Sequence, residues 1–466
     1  MIKIFNTQQI REWDTFTIKN EPIASIDLME RASGSFVQWF TERFNTTNKI
    51  GVICGVGNNG GDGLAIARLL KEWNYPVKVW IVRGAVKETD DFKLNLTRLE
   101  EKILTEGITS QIDSELFNDR TILIDAVFGS GLSRPAEGIY AQVIQAINKA
   151  KAVRVAVDIP SGLSADQPSS GEIVKADHTV TFQAPKLSFL FPQSVAYTGE
   201  WHVVDIGLSK VFQKETETPY LYLTRRAVKK LLKPRLKFSN KGDHGKALLI
   251  AGSYGKMGAC VLSARSTLRA GAGLLTVHIP KSGYTIIQTA VPEAMASVDT
   301  NEQIFSSVSE LDKYDVIGIG PGLGKEKETV AAFQKVLAAG KPMIIDADAL
   351  NILSEHRELL HLIPSGSILT PHPKEFERLV GKWNNDFERL NKQIQLSNQL
   401  KAVIVLKGAN TSIATPEGKV YFNSTGNAGM ATGGTGDVLT GILTGLLAQK
   451  YSAEDAAILG VYLHGL

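Results

Sequence analysis

The chain has 466 residues, 43% hydrophobic and 21% charged, which calls for two or three domains of an ordinary globular protein rather than one core. Lys and Arg total 51 against 48 Asp and Glu, so the net charge of +3 gives no general attraction to nucleic acid or to an anionic membrane. Two cysteines, Cys54 and Cys260, exclude a disulfide framework and a Cys-rich metal site.

The N-terminus, MIKIFNTQQIREWD, lacks a basic segment followed by an apolar one, and no apolar run approaches the ~20 residues of a membrane helix. A cytoplasmic enzyme is expected. A helix is predicted at 7–20, then strands at 49–54, 77–82, 121–125, 153–158 and 178–182, with helices at 64–73 and 140–150 between them. Strands alternating with helices mean a parallel sheet covered on both faces, a Rossmann-like three-layer domain. Residues 209–219 (SKVFQKETETP) are polar and charged and read as a linker. A helix at 224–232 opens a second series, with strands at 247–251, 274–279, 316–319, 343–346, 368–370 and 403–406 and a hairpin at 411–423. Its helices are predicted at 259–270, 328–338 and 437–449, giving a second parallel α/β domain.

The first strand of the series runs into GVGNNGGDG, where Gly55, Gly57 and Gly60 fit G-x-G-x-x-G at the place of a pyrophosphate loop. The acidic residue that an ordinary dinucleotide site carries after the second strand is missing, and Arg83 stands there instead. Asn58, Asn59 and Asp62 bring two amides and a carboxylate to this strand end beside glycine N–H groups, suited to a polar ligand and a monovalent cation. Asp125 leads DAVFGSGLSRP and Asp158 leads DIPSGLSAD, so Asp62, Asp125 and Asp158 are expected to converge at the carboxyl ends of the strands. The plainer reading is that each caps a helix or turn.

In the second half, Gly433, Gly434, Thr435 and Gly436 precede an amphipathic helix that Asp437 opens. Glycines at a helix N-terminus make an anion site, and Asp437 is either an N-cap or a base that takes a proton from an attacking hydroxyl. No G-x-x-x-x-G-K-[ST] occurs, which rules out a P-loop NTPase.

NNGGDGLAIARLL, DAVFGSGL and DIPSGLSAD resemble the signatures of the NAD(P)H-hydrate epimerase family over roughly residues 1–210. That resemblance implies K⁺ held by Asn59, Asp125 and Ser161, with Asp158 at the damaged ring. It implies the substrate's phosphates against Asn58, Asn59, Gly60, Gly61 and Asp62, and against Gly129, Ser130, Gly131, Leu132, Ser133, Arg134 and Pro135. Lys186, in QAPKLSF, is either a partner acid or base or a solvated lysine. GTGD resembles the anion hole and base of ribokinase-like kinases. KGDHGKALLIAGSYGKMGA, GPGLG, DADALN, TPHPKEFERL and LKGANT together resemble the ADP- or ATP-dependent NAD(P)H-hydrate dehydratases over roughly 225–466. This second resemblance places Ala259, Gly322, His372 and Asp437 around the hydrate. Lys407, Gly408, Ala409, Asn410, Thr411 and Gly436 fall to the nucleotide, with Mg²⁺ on its phosphates. Taken alone, His372 is also consistent with a satisfied core histidine.

The expected protein is therefore an epimerase domain at 1–215 and a ribokinase-like dehydratase domain at 224–466, acting on NADH hydrate and NADPH hydrate with ADP (or ATP) as co-substrate. The resemblance further implies a homo-oligomer and a C-terminal helical segment beyond VYLHGL. A small-molecule kinase with an accessory binding domain is the alternative, and a scaffold that has lost activity is a third reading.

Overall fold

Ile50–Cys54 and Ile122–Ala126 are short aliphatic runs buried along their whole length, as strands covered on both faces must be. They form the middle of a parallel sheet in a computed structural model that describes residues 1–84, 87–132 and 134–466. The chain divides into one compact unit at Lys3–Thr218 and another at Pro219–Leu466 with Met1–Ile2.

In the first unit the strand order is Thr105–Ile108, Val77–Val82, Ile50–Cys54, Ile122–Ala126, Val153–Val157, His178–Phe182, Glu200–Val204. Every adjacent pair is parallel. From Ile50–Cys54 the chain builds outward in one direction, then returns to lay Ile122–Ala126 on the other side. That reversal leaves a crevice beyond Cys54 and Ala126. Alternation along the strands supplies both cores. Val52 and Ile124 meet Phe36, Phe40, Leu64 and Ile66 on one face, while Ile53 and Leu123 meet Tyr140, Val143 and Ile147 on the other.

Two expectations need correction here. The helix predicted from residue 64 begins at Asn58, so NNGGDG is its first turn and a half. Its glycines are poor helix formers kept for close packing. A Cβ at Gly60 would lie 1.9 Å from the Gly55 carbonyl oxygen, and one at Gly63 would lie 2.5 Å from the Ala126 Cβ. Nor is 209–219 a free linker. Ser209 caps the helix Lys210–Glu215, and Phe212 stacks on Trp13 with ring centroids 6.0 Å apart. One phenylalanine among charged residues is enough apolar surface to fold the segment back.

The second unit's parallel strands run in the order Met295–Val298, Leu274–Ile279, Lys246–Ile250, Val316–Ile319, Met343–Ile345, Ile368–Leu369, Val403–Leu406. The hairpin Ser412–Ala414 and Val420–Phe422 continues the sheet antiparallel. Order reverses between Lys246–Ile250 and Val316–Ile319, again opening a crevice at strand carboxyl ends. Helices Met257–Arg269 and Thr435–Ala448 lie against each other through small residues. A Cβ at Gly441 would come within 1.9 Å of the Ser266 hydroxyl, and one at Gly445 within 2.5 Å of the Thr267 carbonyl oxygen. This contact sets the N-terminus of Thr435–Ala448 over the crevice. Among the described residues no helix is long and apolar enough to cross a membrane.

Candidate active sites at two switch points

In the first unit, a cavity of about 610 Å³ occupies the crevice. Asn58, Asn59 and Asp62 line it from the start of helix Asn58–Glu72, and Gly129, Ser130, Gly131, Leu132 and Arg134 from the loop after Ile122–Ala126. Gly60 and Gly61 stand behind this wall, against Gly55 and Met29. Pro135 faces a smaller neighbouring cavity instead, and Ser133 lies outside the described residues. Gly57 caps the helix without a side-chain bond, so its first N–H groups and the positive end of its dipole are available to an anion. Arg11 and Arg134 also line this cavity.

Asp158 and Lys186 form the polar floor. Lys186 is 1% exposed, and its Nζ donates to Asp158 Oδ1 at 2.7 Å and to Thr181 Oγ1 at 3.0 Å. A solvated lysine is thereby excluded. Asp158 also accepts from Thr181 Oγ1 and the Phe182 N–H, each at 3.1 Å. Its own backbone is held at a φ of 66°, a left-handed conformation costly for a residue with a Cβ and common where a site fixes a side chain. Burial pushes Asp62 well above the usual carboxylate range, with Asp158, Asp14 and Asp91 adding like charge. Asp14, on the first helix, is raised to about 7 by burial and then by Asp158, with Lys186 opposing. Three acids and a lysine therefore face one cavity, and none of the acids caps a helix.

Asp125 does not reach the cavity as expected. It is fully buried beneath the 127–129 loop, where it accepts from Ser161 Oγ at 2.5 Å and from the Ser161 N–H at 2.8 Å. The Phe128 N–H in turn donates to Ser161 Oγ at 2.8 Å. Burial raises Asp125 to about 6, with the Ser161 bonds opposing. Among the described residues no cationic side chain pairs with it, and the Asn59 side-chain nitrogen is buried without a partner. The Asp125 carboxyl and the Ser161 hydroxyl are oxygen donors of the kind a monovalent cation needs, while the free Asn59 N–H group suits a ligand oxygen. Arg83, by contrast, pairs with Glu88 at 3.3 Å and does not line the cavity.

In the second unit, the helix begins at Thr435, two residues before Asp437, and is capped by Gly434 at a φ of 94° without a side-chain bond. Asp437 is thus no cap. It is raised to about 6 by burial, then by the like charge of Asp346, with Lys407 opposing. Asp346 is 2% exposed and accepts from Lys407 Nζ at 3.0 Å and from Thr440 Oγ1 at 2.7 Å. A Cβ on Gly436 would lie 3.6 Å from Lys407 Nζ and 3.7 Å from Asp346 Oδ2, so acid, lysine and glycine turn share one spot. Gly322, at a φ of 62°, faces Lys256 and Ala259. His372 caps helix Pro373–Val380, its Nδ1 accepting from the Glu375 N–H at 3.2 Å while its ring remains 44% exposed. At 408–411 a turn is closed by Gly408 N–H donating to Thr411 Oγ1 at 3.2 Å, with Gly408 and Ala409 exposed and Asn410 between.

Sequence reasoning did not single out Asp14, Arg11 or Asp346 as site residues. The first two sit on a helix remote in sequence from any glycine loop. Asp346 is the first residue of DADALN, and its position after a buried strand was the available signal.

Family models match residues 25–188 as a YjeF-related protein N-terminus and 247–466 as an NAD(P)H-hydrate dehydratase. A bifunctional NAD(P)H-hydrate repair enzyme of Thermofilum pendens is 34% identical, the match covering 100% of this chain and 91% of that protein. Another, of Moorella thermoacetica, is 37% identical over 95% of this chain and 87% of that protein. A solved ADP/ATP-dependent NAD(P)H-hydrate dehydratase from Bacillus subtilis, co-crystallised with ATP and Mg²⁺, is 35% identical. It covers 53% of this chain and 87% of that one, with a TM-score of 0.46.

The Asp158–Lys186 pair is open to test by a mutant cycle. Lys186→Met strands a carboxylate at the cavity floor and is expected to destabilise the first unit by about 3 kcal/mol in denaturant unfolding. Adding Asp158→Asn to Lys186→Met is expected to restore part of that loss. Additive losses would contradict a coupled pair.

Proposed function

The chain belongs to the family of bifunctional NAD(P)H-hydrate repair enzymes, and from that membership we propose a division of labour between its two crevices. The unit Lys3–Thr218 interconverts the R and S forms of the hydrate, and the unit Pro219–Leu466 dehydrates the S form to NADH or NADPH, using ADP and releasing AMP and phosphate. The observation that carries the reading is the pair of acid clusters, each beside a helix N-terminus without a side-chain cap at a reversal of strand order.

In the first cavity, the helix start at Asn58, the loop through Gly131 and Arg134, and Arg11 hold the substrate's phosphates. Inverting the hydroxyl-bearing carbon takes a proton donor for the departing oxygen and an acceptor for the returning water. Asp14, half protonated near neutrality, supplies the first, and Asp158, oriented by Lys186 and Thr181, supplies the second. Asn59, through its side-chain oxygen, Asp125 and Ser161 would hold K⁺, which would supply the charge that compensates the buried carboxyl.

In the second crevice, Asp437 takes the proton of the ring hydroxyl, whose oxygen attacks the terminal phosphorus of ADP. AMP leaves as the P–O bond to it breaks. The N–H groups of Gly433, Gly434, Thr435 and Gly436 offset the charge that develops, with Lys407 beside them. The new ester then departs as phosphate while the neighbouring carbon loses a proton, restoring the ring double bond. Ala259, Gly322 and His372 border the nicotinamide, and 408–411 the adenine nucleotide. Asp346 is a hard oxygen donor that would hold the Mg²⁺ accompanying the nucleotide, and the ion would supply charge neutralisation for the phosphates.

A small-molecule kinase reading would leave the first cavity without a task, although likeness to the repair enzymes extends over the whole chain. With both hydrate epimers, K⁺, Mg²⁺ and ADP, NADH absorbance is expected to return in full. A stable phosphate ester would instead support the kinase. Because Asp437 must be ionised and is raised to about 6, dehydration of the S form is expected to fall as pH drops through 6. Asp437→Asn should lose roughly 10²–10⁴ of the rate at pH 7.5. For the cation, K⁺ is expected to raise the melting temperature of the wild-type chain more than Li⁺ does and to lose that advantage in Asp125→Asn. An equal K⁺ effect in the variant would remove Asp125 from the site.

A further inference from the structure

At the end of the first unit's sheet opposite the cavity, the two outermost strands carry a second polar cluster. His178 and Glu200 are register partners on His178–Phe182 and Glu200–Val204, and His202 lies two residues beyond Glu200, hence on the same face. Glu200 Oε2 stands 3.8 Å from His178 Nδ1, and Glu200 Oε1 stands 3.7 Å from His202 Nε2. Both separations are too long for hydrogen bonds. Yet both ring nitrogens are buried and have no hydrogen-bond partner, an unusual condition for a polar atom. One ligand atom from each of the three residues falls within 4.8 Å of the others.

The surroundings hold the rings in place. Trp39, on helix Ser25–Thr41, packs 4.9 Å from the His202 ring and 5.7 Å from His178, measured between centroids. Glu200 is 70% exposed and free to move toward the nitrogens. Arg43 stacks 4.6 Å over the Trp39 ring.

We propose that His178, Glu200 and His202 bind one divalent late first-row transition ion, Zn²⁺ by its donor set. Two neutral imidazoles and one carboxylate suit that class and leave a fourth position for water. Ligand atoms around tetrahedral zinc stand roughly 3.4 Å apart, given bonds near 2.1 Å, so three atoms already within 4.8 Å of one another need only draw in slightly to complete the set. The ion ties the outermost strand to His178–Phe182, whose far end supplies Thr181 and the Phe182 N–H to Asp158. It acts on the stability of that edge and takes no part in either reaction.

The test uses the full chain, stripped by a chelator and titrated with Zn²⁺ by calorimetry and with Co²⁺ by visible absorption. One ion per chain is expected, with the absorption of four-coordinate Co²⁺ and a rise in melting temperature. Glu200→Gln and His202→Gln are expected to weaken binding about tenfold or more and leave hydrate repair unchanged. Circular dichroism without metal confirms that the variants fold. Absence of saturable binding in the wild-type chain, or equal binding by both variants, would overturn the proposal.

Discussion

Everything specific about this molecule hangs on where its two parallel sheets reverse their strand order. A parallel sheet buried on both faces offers no surface for chemistry except at its ends, and only a reversal parts the connecting loops enough to admit a ligand. Between Ile50–Cys54 and Ile122–Ala126, and again between Lys246–Ile250 and Val316–Ile319, the chain makes that reversal. In each unit a helix without a side-chain cap then begins close to the opening, and acidic side chains gather beside it.

The gathering is electrostatically unfavourable in itself, which is why it marks function. Burial raises Asp14 and Asp62, Asp158 adds to both and Asp14 adds to Asp62, in a cavity where only Lys186 opposes among the groups acting on Asp14. Asp346 likewise raises Asp437, and Lys407 offsets it. Such clusters persist where a substrate, a nucleotide or a cation completes the charge balance. The left-handed backbone of Asp158 and the buried amide of Asn59 belong to the same category of local cost.

Much of this was legible in the sequence. Leu274–Ile279, Val316–Ile319 and Val403–Leu406 have the bounds that their aliphatic runs predict, since burial on both faces leaves little ambiguity. Edge strands were not legible. Thr105–Ile108 and Glu200–Val204 are half exposed and mixed in composition, so no periodicity announces them. The start of helix Asn58–Glu72 was hidden because tertiary closeness demands glycines that local propensity reads as a loop. Lys186 could not be told from a surface lysine until Asp158 was seen beside it. Asp14 is a plain helical acid until the fold turns that helix onto the cavity.

If the two crevices perform different halves of one repair, separated epimers tell them apart. Asp158→Asn and Asp437→Asn are each given the pure R or pure S form of the hydrate with ADP, Mg²⁺ and K⁺. NADH formation and epimer composition are followed together. Asp158→Asn is expected to repair S at the wild-type rate and to lose the catalysed conversion of R. Asp437→Asn is expected to interconvert R and S and to form almost no NADH. Loss of both activities in both variants, or interconversion that survives only with an intact Asp437, would contradict that division.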